Sequence, residues 1–270
     1  MITCIDNLAA GNVNLLQNDY ASGLPSPFAP LGLVAALAPS LGVGRWECGV
    51  LMVIHRLDAS HGRTKAAMHN KSGRFTPAEI PETMTGALEF SLLVETPVRI
   101  DPDLLRKGVL SARLGGGPIF PRARRTVSVR EMVADGSAFR GMDRGYVPVR
   151  AREGRRPVSA GRRPDLLAVA DELYPEVKRK GTGWTVPLAV GYRLIEDPAT
   201  APRRRGVRNP DVPHVFAEPV VGTGELVSVR NPALTGLDEA GLRGLMWRMS
   251  TAPGVIAAHP DYLPSICALQ

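Results

Sequence analysis

The residues best suited to chemistry lie between Cys48 and Asn70, in the stretch CGVLMVIHRLDASHGRTKAAMHN. An apolar run leads directly into His55 and Arg56, and five more basic side chains follow closely, namely His61, Arg63, Lys65, His69 and Lys71. Guanidinium and ammonium groups bind phosphate oxygens, and imidazoles that titrate near neutral pH can act as general acids or bases. The stretch therefore predicts either binding of a polyanion or acid–base chemistry on one. A solvated strand end is the plain alternative.

A rigid element must hold these side chains in place. The run from Cys48 to Ile54 is rich in Val, Ile, Leu and Met, which favours a buried central strand, although periodicity alone does not separate it from a buried helix. We interpret it as a strand that delivers His55 and Arg56 at its polar end. The residues beyond it then form a basic loop.

A second basic cluster surrounds three consecutive glycines. Gly115, Gly116 and Gly117 follow Arg113 and precede three more arginines: Arg122, Arg124 and Arg125. Without Cβ atoms, such a loop lets a phosphate backbone approach main-chain N–H groups while neighbouring guanidinium groups bind its oxygens. A plain turn is the alternative, and the absence of a following Gly-Lys-Ser/Thr argues against a nucleotide-binding loop of the Walker type.

Positive charge is concentrated in one region of the chain. The 270 residues carry a formal charge of +7, with a pI near 9.7. Residues 122–163 hold twelve arginines against four acids, or +8, so that the remainder nets −1. This balance favours a polyanionic partner such as nucleic acid. Because hydrophobic periodicity fades here, we predict a basic inserted or variable region over residues 122–180.

Two aromatic residues offer stacking surfaces. Trp184 and Tyr192 lie in an apolar segment, GWTVPLAVGY, that we expect to be a strand. Exposed rings of this kind stack on the splayed bases of single-stranded RNA. Core packing is the alternative that the low aromatic content favours, since only 5% of the residues are Phe, Trp or Tyr.

The sequence argues against several other classes of protein. Cys4, Cys48 and Cys267 form neither a disulfide framework nor a metal-binding pair, which fits a reducing cytoplasm. The N-terminus does not have the pattern of a signal peptide, and four prolines interrupt the uncharged span 20–44, so we expect no membrane helix. We find no hydrolase elbow, zinc-binding motif or complete kinase set, and we expect no metal, no cofactor and no catalytic residue.

The order of predicted elements is β-α-β-β-α-β. It consists of a strand within residues 1–20, a helix from Ser26 to Pro39, the Cys48 strand, a strand from Leu88 to Val94, a helix opened by Asp101-Pro102 and a strand from Val109 to Leu114. This pattern is typical of an α+β, ferredoxin-like or RRM-like core. Further on we predict a strand over Met142–Val149, a helix over Pro164–Tyr174, a turn and strand over Phe216–Arg230 and an amphipathic helix over Thr235–Ser250.

Five blocks together resemble one known family. They are Gly23–Leu37, Cys48–Asn70, Leu88–Val94, Arg113–Pro121 and Gly183–Tyr192. In order and approximate spacing they resemble the RAMP-type subunit that caps the 5′ end of CRISPR RNA (crRNA) in type I-F surveillance (Csy, Cascade) complexes. The stretch after Pro121 matches only loosely, so a reduced or variant I-F system is one form of this hypothesis.

The resemblance implies a single RAMP-type domain over residues 1–270, with a thumb-like hairpin at residues 59–84. It implies a non-catalytic, cytoplasmic subunit for antiviral defence that binds the 5′ handle of crRNA. The implied partners are CRISPR backbone subunits, a large subunit and, in the assembled complex, target DNA. We predict RNA contacts by His55, Arg56, Arg63, Lys65, Arg113, Gly115, Gly116, Gly117, Arg122, Arg124, Arg125 and Arg144.

Two rival functions stay open on sequence grounds. One is a metal-independent RAMP-type endoribonuclease that processes CRISPR RNA, for which His55, His61 and His69 would supply the acid and base. The other is an RNA-binding protein outside CRISPR defence.

Overall fold

The computed structural model describes residues 1–18, 21–60, 68–77, 84–150, 184–204, 206–207 and 209–260. Arg63, Lys65 and the helix predicted over Pro164–Tyr174 lie outside these residues. Within them the elements are, in chain order, β1 (Ile2–Asn14), α1 (Phe28–Leu37), β2 (Gly49–Ala59), β3 (Met68–Lys71), β4 (Arg74–Pro77), β5 (Thr85–Glu95), α2 (Pro102–Ser111), β6 (Arg113–Leu114), β7 (Gly117–Pro121), β8 (Ser128–Met132), β9 (Tyr146–Arg150), β10 (Trp184–Leu194), β11 (Ala217–Ser228), α3 (Pro232–Thr235), α4 (Glu239–Arg243), β12 (Trp247–Ala252) and β13 (Val255–Pro260).

The N-terminal half is an antiparallel sheet in the order β2-β5-β1-β7. One face is fully buried, with Leu8, Ala10, Leu88 and Phe90 at 1% exposure or less, and it shares a hydrophobic core with residues of α1 and α2. The two helices touch, since a Cβ added at Gly108 of α2 would lie 3.1 Å from a methyl of Leu37. The opposite face carries polar side chains over its central part and is described below.

The C-terminal strands extend this sheet from β2, and the last of them in the pairing order pairs with β2 again. From β2 the order runs through β9, β11, β10, β13 and β12, and β12 then pairs with β2 again through Trp247 and Val50. Six strands therefore form a closed ring in which β2 belongs to both halves. Trp247 is buried and donates a hydrogen bond from Nε1 to the carbonyl of Pro148, 3.0 Å away on β9.

Polar contacts fix the ring against the N-terminal half. The buried Gln17 side chain accepts a hydrogen bond from the N–H of Ala189 and donates one to the carbonyl of Leu24. Ser26 Oγ donates to the carbonyl of Ala189 at 2.6 Å. On the other side of the sheet the buried carboxylate of Glu95 pairs with Arg243 of α4 and Arg248 of β12.

Several predicted elements agree with the structure. The strands expected near the N-terminus, over Cys48–Ile54 and over Leu88–Val94 are β1, β2 and β5, and the Gly183–Tyr192 segment is β10. The helices predicted from Ser26 to Pro39 and after Asp101-Pro102 are α1 and α2, and Asp101 accepts hydrogen bonds from the N–H groups of Asp103 and Leu104 at the start of α2. Between β2 and β5, β3 and β4 pair as a separate two-stranded hairpin, at the position expected for the thumb.

Other predictions are wrong. Residues 235–250 form no long helix but α3, α4 and the start of β12, because Gly236, Gly241 and Gly244 each disfavour continuous helix by about 1 kcal/mol. Half of the strand predicted over Val109–Leu114 belongs to α2, which ends at Ser111, and only Arg113–Leu114 form a strand, β6. Within the region where periodicity fades, the structure adds β8, which pairs with β1, whereas the strand predicted over Met142–Val149 corresponds to β9.

No helix among the described residues has both the length and the apolar character needed to cross a membrane.

Candidate nucleic-acid interface

The three glycines form the turn of the β6–β7 hairpin. Gly115 and Gly116 both have positive φ, 52° and 87°, as a two-residue hairpin turn with matching twist requires. Gly117 packs against β1 so closely that an added Cβ would lie 2.1 Å from the carbonyl oxygen of Gly11. Chain reversal and packing therefore account for Gly115 and Gly117. At Gly116 an added Cβ would meet nothing within 4 Å, so this glycine is open to an incoming group.

The arginines around these glycines do not form one cluster. Arg113 stays beside the turn, where its Nη1 donates to the carbonyl of Gly116 at 2.9 Å. Arg124 and Arg125 follow the far end of β7, and the five residues of that strand span about 16 Å. The predicted phosphate-binding loop is therefore divided into two basic sites, one at each end of β7.

Arg122 is held by two carboxylates. Its Nε lies 2.6 Å from Glu89 on β5 and its Nη1 lies 2.5 Å from Asp143, and the side chain is only 25% exposed. These contacts link β5 to the segment that precedes β9. Because two acids offset its charge, Arg122 would have to give up a carboxylate before it contacts a phosphate, and its predicted RNA contact stays a prediction.

Arg124 and Arg125 are the exposed part of the same turn. Arg124 has a φ of +60°, and the N–H of Arg125 donates to the carbonyl of Arg122 at 3.0 Å. The turn sits over a bulge in β1, where Asn7 donates from Nδ2 to the carbonyl of Thr126 at 3.0 Å. Both arginines project from a braced turn and are exposed. They keep the capacity for phosphate contact that the sequence assigned to them.

His55 occupies a β-bulge in the middle of β2, not the end of a strand, because β2 continues to Ala59. Its Nδ1 lies 3.0 Å from the carbonyl oxygen of Arg144, and its Nε2 lies 2.8 Å from Ser91 Oγ. A carbonyl can only accept, so Nδ1 carries the proton and Nε2 of the neutral ring accepts from the serine hydroxyl. Both ring nitrogens are used within the protein.

His55 therefore holds the main chain at Arg144 through its ring, and its predicted RNA contact stays a prediction. Gly145 makes this approach possible, since an added Cβ there would lie 2.8 Å from His55 Nδ1. Arg144 itself is exposed. The structure thus brings together the His55 and Arg144 that the sequence placed far apart.

Arg56 lies on the polar face of the sheet, opposite Glu89. Its Nε pairs with Asp58 at 2.7 Å, and the two side chains are 64% and 56% exposed. An exposed ion pair of this kind contributes less than about 1 kcal/mol, so Arg56 can exchange its partner at little cost.

The two predicted stacking residues lie at opposite ends of β10. Tyr192 contacts Phe28 of α1, with ring centroids 5.3 Å apart and planes inclined by 55°. Tyr192 thus packs one side of its ring within the protein and keeps 37% of its surface exposed. Trp184 is 55% exposed and lies opposite Leu226.

Among the exposed aromatic residues that sequence reasoning did not single out is Phe120 on β7, which is 45% exposed. The signal was present in the GGGPIFP block, where Gly117 and Ile119 are buried and Pro118 and Phe120 are exposed. That alternation marks a strand with one open face.

Within the described ranges, no group of three or more His, Cys, Asp or Glu side chains is placed to hold a metal ion. Cys4 and Cys48 are buried thiols. Burial raises the pKa of the Cys4 thiol well above its ordinary value, and the nearby Asp6 carboxylate adds to the rise. Cys4 is therefore a poor nucleophile.

Comparisons with known proteins agree with the resemblance at the level of the system. No curated protein matches the chain. A family model described as CRISPR-associated protein (Cas_Csy2) matches residues 167–254, about one third of the chain. Among described residues the match covers β10, β11, α3, α4 and β12, whereas most of the blocks that carry the sequence resemblance lie before residue 122. The C-terminal part of the chain is thus similar to a CRISPR-associated protein of the Csy type.

Proposed function

We propose that the chain is a crRNA-binding subunit of a type I-F CRISPR surveillance complex and that it holds the 5′ handle of the RNA. The observation that carries this proposal is the Csy-type match over residues 167–254. The independent resemblance of the preceding blocks supports the finer role. An excess of arginine over acid in residues 122–163 fits a polyanionic ligand.

The proposed fold is a ferredoxin-like, RAMP-type core with additions. Strand order supports it, because β2-β5-β1-β7 with two contacting helices on one face follows the β-α-β-β-α-β pattern. The ring formed by β9 to β13 is built onto β2. The β3–β4 hairpin is the proposed thumb, and with Arg63 and Lys65 nearby in sequence it would contact a neighbouring backbone subunit.

Four exposed arginines are the proposed phosphate contacts. Arg113 lies at the glycine turn, Arg124 and Arg125 at the other end of β7, and Arg144 beside His55. Among the ion pairs of the described ranges, none joins these four to a carboxylate, in contrast to Arg122. They can bind phosphates without first breaking an ion pair with a carboxylate of the protein.

The proposed role is non-catalytic. A general base in RNA cleavage needs a free imidazole nitrogen near the attacking hydroxyl, and both nitrogens of His55 have partners within the protein. This arrangement gives the endoribonuclease alternative no support at His55. His61 lies outside the described residues.

Sequencing of co-purified RNA tests the proposal. The tagged protein is expressed with its CRISPR array and neighbouring subunits, purified, and its RNA is sequenced. We expect RNAs that begin with the repeat-derived 5′ handle, together with backbone subunits and, where the system has one, a large subunit. The matched control is the same strain without the array, which should yield little RNA. RNA of unrelated sequence in both strains would contradict the CRISPR role and favour a general RNA-binding protein.

A further inference from the structure

The polar face of the N-terminal sheet has a row of side chains that crosses four strands. Phe120 of β7 lies opposite Ala9 of β1, Ala9 lies opposite Glu89 of β5, and Glu89 lies opposite Arg56 of β2. Directly paired residues of antiparallel strands point to the same side. These four side chains therefore share the face opposite the helices, and Phe120 is the aromatic residue among them.

Phe120 rests on a surface of small residues. A Cβ added at Gly11 would lie 3.7 Å from its ring, so the ring sits beside a residue without a side chain. Its cross-strand partner Ala9 has only a methyl group. Because these neighbours are small, they do not cover the ring, and 45% of Phe120 is exposed although its strand is paired. An exposed aromatic residue on a rigid strand is the usual form of a base-stacking platform.

Two other exposed aromatic residues already have partners on their rings. Phe216 is covered by the guanidinium of Arg204 at 4.1 Å, and Tyr192 packs against Phe28. Within the described residues, no ring or cation contact involves Phe120. Its face is free for a planar ligand.

Positive charge flanks the ring along the strand. Arg113 lies opposite Pro118, on the same face and one side of Phe120, while the Arg124–Arg125 turn follows on the other side. Arg113 flanks the strand at Pro118, and the turn that carries Arg124 and Arg125 begins at Arg122, about 13 Å further along the strand. Long arginine side chains at the two ends can reach the phosphates of one nucleotide and its neighbours across this distance. The carboxylates of this face, Glu89 and Asp58, are paired with Arg122 and Arg56. In the part of the chain that the structure describes, the charges of Arg113, Arg124 and Arg125 are not offset in this way, so the surface around Phe120 is positive and complements a phosphate backbone.

We propose that Phe120 stacks on a nucleobase of single-stranded RNA, with the adjacent phosphates bound by Arg113 on one side and by Arg124 and Arg125 on the other. This inference rests on the proposed RNA-binding function and assigns the surface that carries it. Stacking is tolerant of sequence because every base has a π face. Phe120 thus contributes to the affinity for RNA more than to the selection of a particular base.

Fluorescence titration of the full-length chain with single-stranded RNA carrying 2-aminopurine at successive positions tests the proposal. In the wild type, stacking should quench the fluorophore at one position. Phe120→Leu keeps an apolar contact with Gly11 but removes the π system, so we expect about tenfold weaker binding and loss of that quench. Phe120→Trp should restore both. The slope of log affinity against log salt should not change in either variant, because no phosphate contact is lost.

Trp46→Leu is the matched control, since Trp46 is 51% exposed in the loop before β2 and should leave both readouts unchanged. Wild-type affinity with an intact quench in Phe120→Leu would overturn the stacking proposal and leave RNA binding standing. Loss of a protein partner from Phe120→Leu with unchanged RNA affinity would overturn it in favour of a protein contact. A wild-type chain that binds no RNA would overturn the proposed function as well.

Discussion

Replacement of Glu95 by alanine should lower the free energy of unfolding by about 3 kcal/mol, because it leaves two arginines without their shared carboxylate. Glu95 is 7% exposed and pairs with Arg243 and Arg248. It lies at the end of β5, whereas the arginines belong to α4 and β12. Equilibrium denaturation by urea measures the change. The variant should also loosen the ring against the N-terminal sheet.

Glu239→Gln is the control for this prediction. Glu239 pairs with the same Arg243, at 2.8 Å, but its side chain is 64% exposed. An exposed pair within one helix is worth less than about 1 kcal/mol, so the control should change stability little. If both variants lost the same free energy of unfolding, the stabilising effect of the Glu95 ion pairs would not come from their burial.

Replacement of four arginines, Arg113, Arg124, Arg125 and Arg144, by glutamine should reduce RNA affinity by about 10²- to 10³-fold at 0.1 M salt. Each phosphate contact releases counterions, and for a single strand the slope of log affinity against log salt changes by about 0.7 per contact. Four lost contacts should therefore reduce the slope by about 3. Affinity measured from low to moderate salt gives both values. Arg122 is left in place because it holds Glu89 and Asp143.

The control removes the same charge from another part of the surface. Arg45, Lys107, Arg193 and Arg203 are exposed and lie outside β6 to β9, with Lys107 on α2 across the sheet from Phe120, and their replacement by glutamine should leave the slope nearly unchanged. If both quadruple variants lost the same slope, the effect would come from net charge alone. An unchanged slope in the first variant would assign its arginines to solvent or to a protein partner.

The sequence predicts the central strands because their signal is local. Val50 to Ile54 is a continuous apolar run, and Leu88 to Val94 is apolar except for Glu89 and Ser91, as expected for buried strands. The start of α2 is equally local, since Asp101 precedes Pro102 and caps the helix. The apolar stripe over residues 235–250 misled the prediction of a long helix, because the glycines at 236, 241 and 244 break it and the same residues form two short helices and the start of a strand.

The candidate surface is harder to predict because its contacts are distant in the chain. The basic character of Arg122 is visible in the sequence, but its partners Glu89 and Asp143 come from β5 and from the segment before β9. His55 contacts Ser91 and Arg144 only because a bulge in β2 and the absent side chain of Gly145 let them meet. Neither feature has a sequence signature that separates it from ordinary strand and turn residues.

The most direct test of the proposed function compares two RNAs in competition for the purified chain. One carries the native repeat-derived 5′ handle and the other a scrambled handle of the same length and composition, so that the phosphate contacts are equal and only the bases differ. A capping subunit should bind the native handle more tightly, and the preference should persist as salt is raised and total affinity falls. Equal affinity for the two RNAs at every salt concentration would contradict the proposed recognition of the 5′ handle.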